Sequence, residues 1–276
     1  IMGGHEHENQ IYTVGKTTIA KADANAKTVY VHTLRYDKKT KTATVRSELK
    51  RVNASVPDEP ATATVIAKWE QIKNESLASS GFDPGKSVIK LSEPLDCREN
   101  VVRQLPCQAG DLITSAMMAA AKTKPEGAIL NSGSIRVDDI LTGTLTELDI
   151  VRMLPFGGSV VEVEMRGTLL RKTLDAGNGN KGNGGYLQLK NIRRDEAGKW
   201  YVADKALDDA KTYRLVLPDF LLTGNEQNMG FLKAGVDAEG KSSNAEIPVI
   251  RKPDPKDKSD LRNDIRQALI AYLRGK

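Results

Sequence analysis

Ile1-Met2-Gly3-Gly4-His5-Glu6-His7 puts an apolar pair, two glycines and a His-x-His at the front of the chain, and this start restricts what the polypeptide can build. It reads as a strand delivering two imidazoles at its carboxyl end, where open α/β sheets place their ligands. His5 and His7 are therefore candidate metal ligands, and the chain is expected to begin inside a domain. A two-metal hydrolytic centre, with ions about 3.5–4 Å apart, needs several more donors than two imidazoles. The third histidine, His32, lies in a stretch, 28–34, whose period-2 alternation predicts a strand, so a packed or solvated role is expected of it.

Strand-like alternation continues through 10–14, 17–22, 28–35 and 42–49, with Asp37-Lys38-Lys39-Thr40-Lys41 as a hairpin turn. Residues 52–60 carry two prolines and no periodicity, which marks a boundary. A helix follows over 62–77, where Val65, Ile66, Trp69, Ile72 and Leu77 fall near a 3.6-residue spacing. Beyond Lys86 the pattern becomes mixed. Helices are expected at 110–122, capped by Asp111, and at 168–176, capped by Thr168 with Gly177 past its end. Strands are expected at 127–130, 160–165, 186–190, 200–203 and 213–218, and a closing helix at 259–274 repeats Leu261, Ile265, Leu269 and Leu273. Between the second helix and the next strand, 177–185 holds five glycines and three asparagines, so a flexible loop is expected.

At 276 residues with 39% hydrophobic side chains, the chain can fill real cores and reads as soluble and globular, with about two domains. Its net charge of +5 is spread along the sequence, which does not imply a nucleic-acid partner. No stretch approaches the roughly 18 apolar residues needed to cross a bilayer. Cys97 and Cys107, ten residues apart and without zinc-site spacing, fit either a local disulfide or two reduced core thiols.

Two segments carry chemistry. In Ile129-Leu130-Asn131-Ser132-Gly133-Ser134-Ile135-Arg136 a buried strand runs into small residues and then an arginine. Gly133 lets a ligand approach the backbone, Asn131 offers donors and an acceptor, and Arg136 presents a planar fork suited to phosphate or carboxylate, although a structural salt bridge would use the same residue. Met153-Leu154-Pro155-Phe156-Gly157-Gly158 sets an aromatic ring between a proline and two glycines, either to stack on a flat heterocycle or to close a core. Gly15-Lys16-Thr17 lacks the upstream glycine of a phosphate loop, and no Gly-x-Ser-x-Gly elbow is present.

Taken in order, these pieces resemble the carboxy-terminal part of the 5'-nucleotidase family of metallophosphoesterases. The resemblance rests on Gly3-Gly4-His5-Glu6-His7, Val101-Val102-Arg103 followed by Gly110-Asp111-Leu112-Ile113, Asn131 to Arg136, Leu154 to Gly158, Gly185-Tyr186-Leu187-Gln188 and Asp260-Leu261-Arg262. It implies an α/β fold with a mixed α+β sheet. Residues 1–57 would be the last strands of the metallophosphoesterase domain, 58–80 a linking helix, and 81–276 the 5'-nucleotidase C-terminal, substrate-binding domain. It further implies that His5 and His7 each ligate a metal, that Arg103, Asn131, Gly133 and Arg136 hold substrate, and that Phe156 stacks on the base. Phe231 would supply the opposite ring if about three residues are inserted before it. Ser115 and Pro106 stand where the family usually has an aspartate and a glutamate, and its Asp-x-His and Gly-Asn-His metal motifs do not occur.

The function so implied is hydrolysis of nucleotide phosphate esters by a parent enzyme holding two divalent metal ions, zinc, manganese or similar, with this part binding a nucleotide or nucleoside. The chain alone is expected to bind no metal pair and to be inactive without the missing amino-terminal catalytic domain. The alternatives are a non-catalytic nucleotide or small-anion binding module, or a parent acting on cyclic nucleotides, nucleotide sugars or other phosphate esters. A periplasmic or extracellular location is what the resemblance and a Cys97–Cys107 bridge would imply.

Overall fold

The computed structural model describes residues 1–237 and 241–276 and separates into two compact units, Ile1–Lys73 and Asn74–Lys276. In the first unit, β1 (Gln10–Val14) pairs antiparallel with β2 (Thr17–Lys21), and β3 (Thr28–Asp37) with β4 (Thr42–Arg51). The long hairpin turns at Asp37, whose Oδ1 accepts from the backbone N–H of Lys39 at 2.7 Å, the Asx-type turn chemistry expected of this stretch. His32 takes a structural place on β3, with Nδ1 2.8 Å from Ser47 Oγ across the ladder. The helix α1 (Pro60–Ser79) begins after Glu59, whose carboxylate accepts from the backbone of Ala61 and Thr62.

The second unit adds, in chain order, β5 (Ser87–Lys90), β6 (Leu95–Asp96), α2 (Glu99–Val102), α3 (Gln108–Ala120), β7 (Gly127–Asn131), β8 (Ile140–Leu141), β9 (Thr144–Thr146) and α4 (Glu147–Met153). Then follow β10 (Val160–Arg166), α5 (Gly167–Gly179), β11 (Leu187–Lys190), β12 (Ile192–Arg194), β13 (Trp200–Val202), β14 (Lys205–Ala206), β15 (Thr212–Pro218), β16 (Val249–Arg251) and α6 (Ile265–Arg274). Its centre is a five-stranded mixed sheet in the order β11-β7-β15-β10-β16. Only β7 and β15 run parallel; the other neighbours are antiparallel.

Alternation along the central strands fills two cores, one on each face. Ala128, Leu130, Val160 and Val216 point to the face covered by α3, α4 and α6; Ile129, Val161, Val163, Leu215 and Leu217 point to the face covered by α5 and the β12–β14 sheet. The fold is thus α/β with a mixed sheet, as the alternation of strand and helix patterns predicts.

Two helix starts differ from the sequence expectation. The helix α3 is capped by Cys107, whose Sγ accepts from Gly110 N–H at 3.4 Å, and Asp111 sits one turn inside it, paired with Lys190 at 2.7 Å. Extension through Gly110 depends on its missing side chain, because a Cβ there would lie 2.2 Å from Gln188 Oε1. Likewise Arg166 occupies the N-cap position of α5 without a side-chain capping bond, while Thr168 lies in the first turn and donates to Glu246 Oε2 at 2.7 Å. Gly167 starts that helix because its α-carbon passes Asp208 too closely for any side chain, 2.0 Å from a Cβ to the carbonyl oxygen.

Cys97 and Cys107 are free thiols, which replaces the disulfide alternative. Cys97 is buried in the first core, and burial, reinforced by the neighbouring Cys107 sulfur, pushes its thiol up to about 12. Alkylation of denatured, unreduced protein followed by mass measurement should therefore add two labels, with Cys97 protected before denaturation.

A buried ion network fastens the C-terminal segment to the sheet. Arg262 donates to Asp260 through Nε and Nη2, at 3.0 and 2.7 Å, and through Nη1 to Glu162 on β10; Lys122 closes the group on Asp260 at 2.8 Å. Burial alone would push Glu162 up, but bonds from Thr123, the Lys122 amide and Arg262 outweigh it and hold the carboxyl below its usual range. The Arg262 fork holds Asp260 far lower. A depressed carboxyl contributes stability that is complete above its unfolded pKa of about 4 and fades as pH falls toward the folded value. Asp260→Asn should therefore lower stability at pH 7 by about 2–4 kcal/mol in urea titrations, with the gap to the native protein closing below about pH 4.

Candidate functional site

Arg103 follows directly on α2, and its position is set from beneath by a buried amide. Gln188 on β11 is 1% exposed and donates to the carbonyls of Val102 and Leu105, both at 2.7 Å, while its Oε1 accepts from Cys107 N–H at 3.1 Å. Three backbone groups of an irregular connection are thereby satisfied away from water. The Arg103 side chain then pairs with Glu99 one turn earlier, and its Nε is buried with no protein acceptor among the described residues.

The glycine-rich stretch is not a loose loop, contrary to the sequence expectation. The helix α5 continues to Gly179, and Asn180, 1% exposed, donates to Gln227 O at 2.8 Å and accepts from Asn228 Nδ2 at 2.8 Å. Gly182 N–H donates to Arg103 O, and Gly184 O accepts from Gly133 N–H, each at 2.7 Å. The two backbones touch: a Cβ on Gly133 would lie 3.1 Å from Gly184 Cα. Glycine serves close approach here, not mobility.

This seam joins Arg103 to the turn after β7. Asn131, 4% exposed, donates through Nδ2 to Glu226 Oε2 at 2.7 Å and accepts from Ser134 Oγ at 2.8 Å. Arg136 is tied back to the end of α4 by its N–H on Met153 O, 2.9 Å away. Its guanidinium lies 5.9 Å from the Phe156 ring centroid, with Nη1 4.0 Å from Glu99 Oε1. In the Leu154–Gly158 turn the buried anchor is Leu154, and two positive-φ glycines follow Phe156. Phe156 itself is 74% exposed, which removes the core-closing reading of this ring.

Arg103, Asn131, Gly133, Arg136 and Phe156 are thus joined by consecutive contacts into one face: two guanidinium groups, a fixed amide, a bare glycine backbone and an open aromatic ring. Phe231 is placed differently. Its partly buried ring packs against the second core, with Lys172 Nζ 4.3 Å from its centroid. The sequence reading passed over Glu99, Glu226 and Asn180. Glu99 was visible as an i,i+4 partner of Arg103, whereas Glu226 and Asn180 meet their partners only through tertiary folding.

His5 and His7 belong to the first unit. Met2 bridges Ala20 of β2 in parallel, and His5 follows with φ 81° and a side chain 97% exposed, Nδ1 3.7 Å from Glu6 Oε1. Within Ile1–Lys73 no third His, Cys, Asp or Glu converges on them among the described residues. Two imidazoles do not supply the donor set of a divalent-metal pair, so the first unit by itself does not fit that group.

The profile of the family described as "5'-nucleotidase, C-terminal domain" matches residues 87–233, more than half of the chain. The chain belongs to that family. It is 26% identical over 240 residues to the 5'-nucleotidase of Bos taurus, covering 76% of this chain and 41% of that protein. The 5'-nucleotidase of Vibrio cholerae is 27% identical over 225 residues, covering 75% and 39%. The chain therefore spans about two fifths of the length of these relatives. The fold is shared with the crystal structure of a 5'-nucleotidase precursor from Thermus thermophilus, with TM-score 0.68, 18% identity, and coverage of 100% of this chain and 54% of that one. A 5'-nucleotidase from Candida albicans superposes with TM-score 0.60 at 12% identity, covering 100% and 56%.

Glu226→Ala would leave the buried Asn131 amide without its acceptor, a loss of about 1–3 kcal/mol. Thermal unfolding should show it, while Glu226→Gln, which keeps an acceptor oxygen, should lose less.

Proposed function

We propose that the second unit binds the nucleoside part of a nucleotide for a 5'-nucleotidase-type phosphoesterase, whose metal pair is assembled with residues beyond those in this chain. The observation that carries this reading is Phe156. A phenylalanine ring 74% exposed, held by a buried Leu154 and flanked by a guanidinium, is costly to leave in water and suited to stacking on a purine or pyrimidine. Membership in the family supports the same ligand class.

In this reading the base lies on Phe156, and the polar remainder of the nucleoside reaches Arg136, Arg103 and Asn131. Arginine forks and a fixed amide orient an oxygen-rich group without moving, because their backbones are already pinned by Gln188 and the Gly133–Gly184 seam. His5 and His7 would contribute to the metals, which supply the polarised phosphoryl group and the activated water when the full donor set is present. No step of hydrolysis is assigned to the side chains of this chain.

Calorimetric titration of the 276-residue protein with adenosine should show binding that Phe156→Ala weakens about tenfold or more, matching a stacking contribution of about 1–3 kcal/mol. Phe231→Ala is the comparison: its ring packs under Lys172, and an equal loss there would assign it the opposite side of the base. The same protein with added manganese or zinc should not hydrolyse adenosine monophosphate at an enzymatic rate. Absence of adenosine binding, or binding indifferent to Phe156, would overturn the reading.

A further inference from the structure

Two Asn-Gly pairs occur in the chain, Asn178-Gly179 and Asn183-Gly184, and both fall in the glycine-rich stretch. Asparagine followed by glycine is the pair most open to intramolecular attack, because a residue without Cβ leaves its backbone nitrogen unshielded beside the preceding side-chain amide. The fold treats the two pairs differently. Gly179 closes α5, and Asn180 N–H still donates to Ala176 O at 3.0 Å, so the helical ladder runs past Gly179 and commits its N–H to the carbonyl four residues back.

The second pair lies beyond the helix. Asn183 is exposed and Gly184 half-buried, and neither the Asn183 side-chain amide nor the Gly184 N–H has a protein partner among the described residues. The atoms around them are fixed instead. Asn183 N–H donates to Asn180 O at 2.8 Å, and Asn183 O accepts from Tyr186 N–H at 3.0 Å and from Ser132 Oγ at 3.3 Å. Gly184 O accepts from Gly133 N–H at 2.7 Å. The turn therefore leaves uncommitted the two groups that must meet for reaction, the Asn183 carboxamide and the Gly184 nitrogen.

We infer that Asn183 is a site of spontaneous deamidation, and that its isoaspartyl product loosens the Gly133–Gly184 seam. Gly184 N gives up its proton and bonds to Asn183 Cγ; the Cγ–Nδ2 bond breaks, and the side-chain nitrogen takes that proton and leaves as ammonia. One water then opens the resulting succinimide. Cleavage between the Gly184 nitrogen and Cγ leaves aspartate on an unchanged main chain. Cleavage between that nitrogen and the Asn183 main-chain carbonyl leaves isoaspartate, with the chain rerouted through Cβ and Cγ. Either way one water is consumed and one ammonia released. Isoaspartate lengthens the main chain by one carbon and turns Asn183 O, the acceptor for Tyr186 and Ser132, into part of a free carboxylate. Gly184 O then loses the fixed course that aligns it with Gly133 N–H.

Trypsin places the two pairs on separate peptides, 173–181 and 182–190. Folded protein held at mildly alkaline pH should yield a 182–190 peptide about 1 Da heavier, in two chromatographic forms, about tenfold or more faster than 173–181 changes. In urea the two rates should come together, and Asn183→Gln should abolish the rapid change in 182–190. Asn183→Asp carries the charge alone and should keep the native Tm, whereas the isolated isoaspartyl protein should unfold several degrees lower. Equal conversion of both peptides in the folded protein, or no conversion of 182–190 where the urea-unfolded chain converts, would overturn the site. An isoaspartyl form with the native Tm would overturn its effect on the seam.

Discussion

A single buried amide holds the arginine-bearing face to the sheet. Gln188 fills three backbone hydrogen-bonding positions in the connection between α2 and α3, a stretch too short and irregular to satisfy them itself. Removing those bonds would expose buried carbonyls to an apolar surround, so the connection has one low-energy course, and Arg103 emerges from it in one place. Gly110 belongs to the same device, since the Gln188 side chain occupies the space a Cβ would need.

From that anchor the face is assembled by backbone contact more than by side-chain packing. Gly182 on Arg103, Gly184 on Gly133, and the Arg136 amide on Met153 bring four separate segments to one surface through hydrogen bonds between main chains. Arg136 and Phe156 then reach solvent while Asn131 stays buried, and the ion network around Arg262 ties the C-terminal segment to β10.

The mixed α/β architecture was legible because the central strands alternate cleanly between two cores, and long hydrophobic periodicities such as that of α6 survive translation into burial. The turns at Asn131–Arg136 and Phe156 were legible because small residues or glycines beside a functional side chain are a local signal. What was not legible is tertiary in origin. The glycines and asparagines at 177–185 read as looseness, yet Asn180 is locked by partners nearly fifty residues away. The start of α3 at Cys107 and of α5 at Arg166 depend on close approach of Gln188 and Asp208, which no local pattern records. The spacing of Cys97 and Cys107 allowed a bridge, and the fold uses one thiol as core filling and the other as a helix cap.

The contact between Gly133 and Gly184 bears on how such a face could diverge. Where two main chains meet this closely, even a methyl group requires the opposite segment to yield by a few tenths of an ångström, so the floor of the surface resists change. Substitution is easier at the margin, where the Glu99, Arg136 and Phe156 side chains are open to solvent to differing degrees and lie outside that close contact.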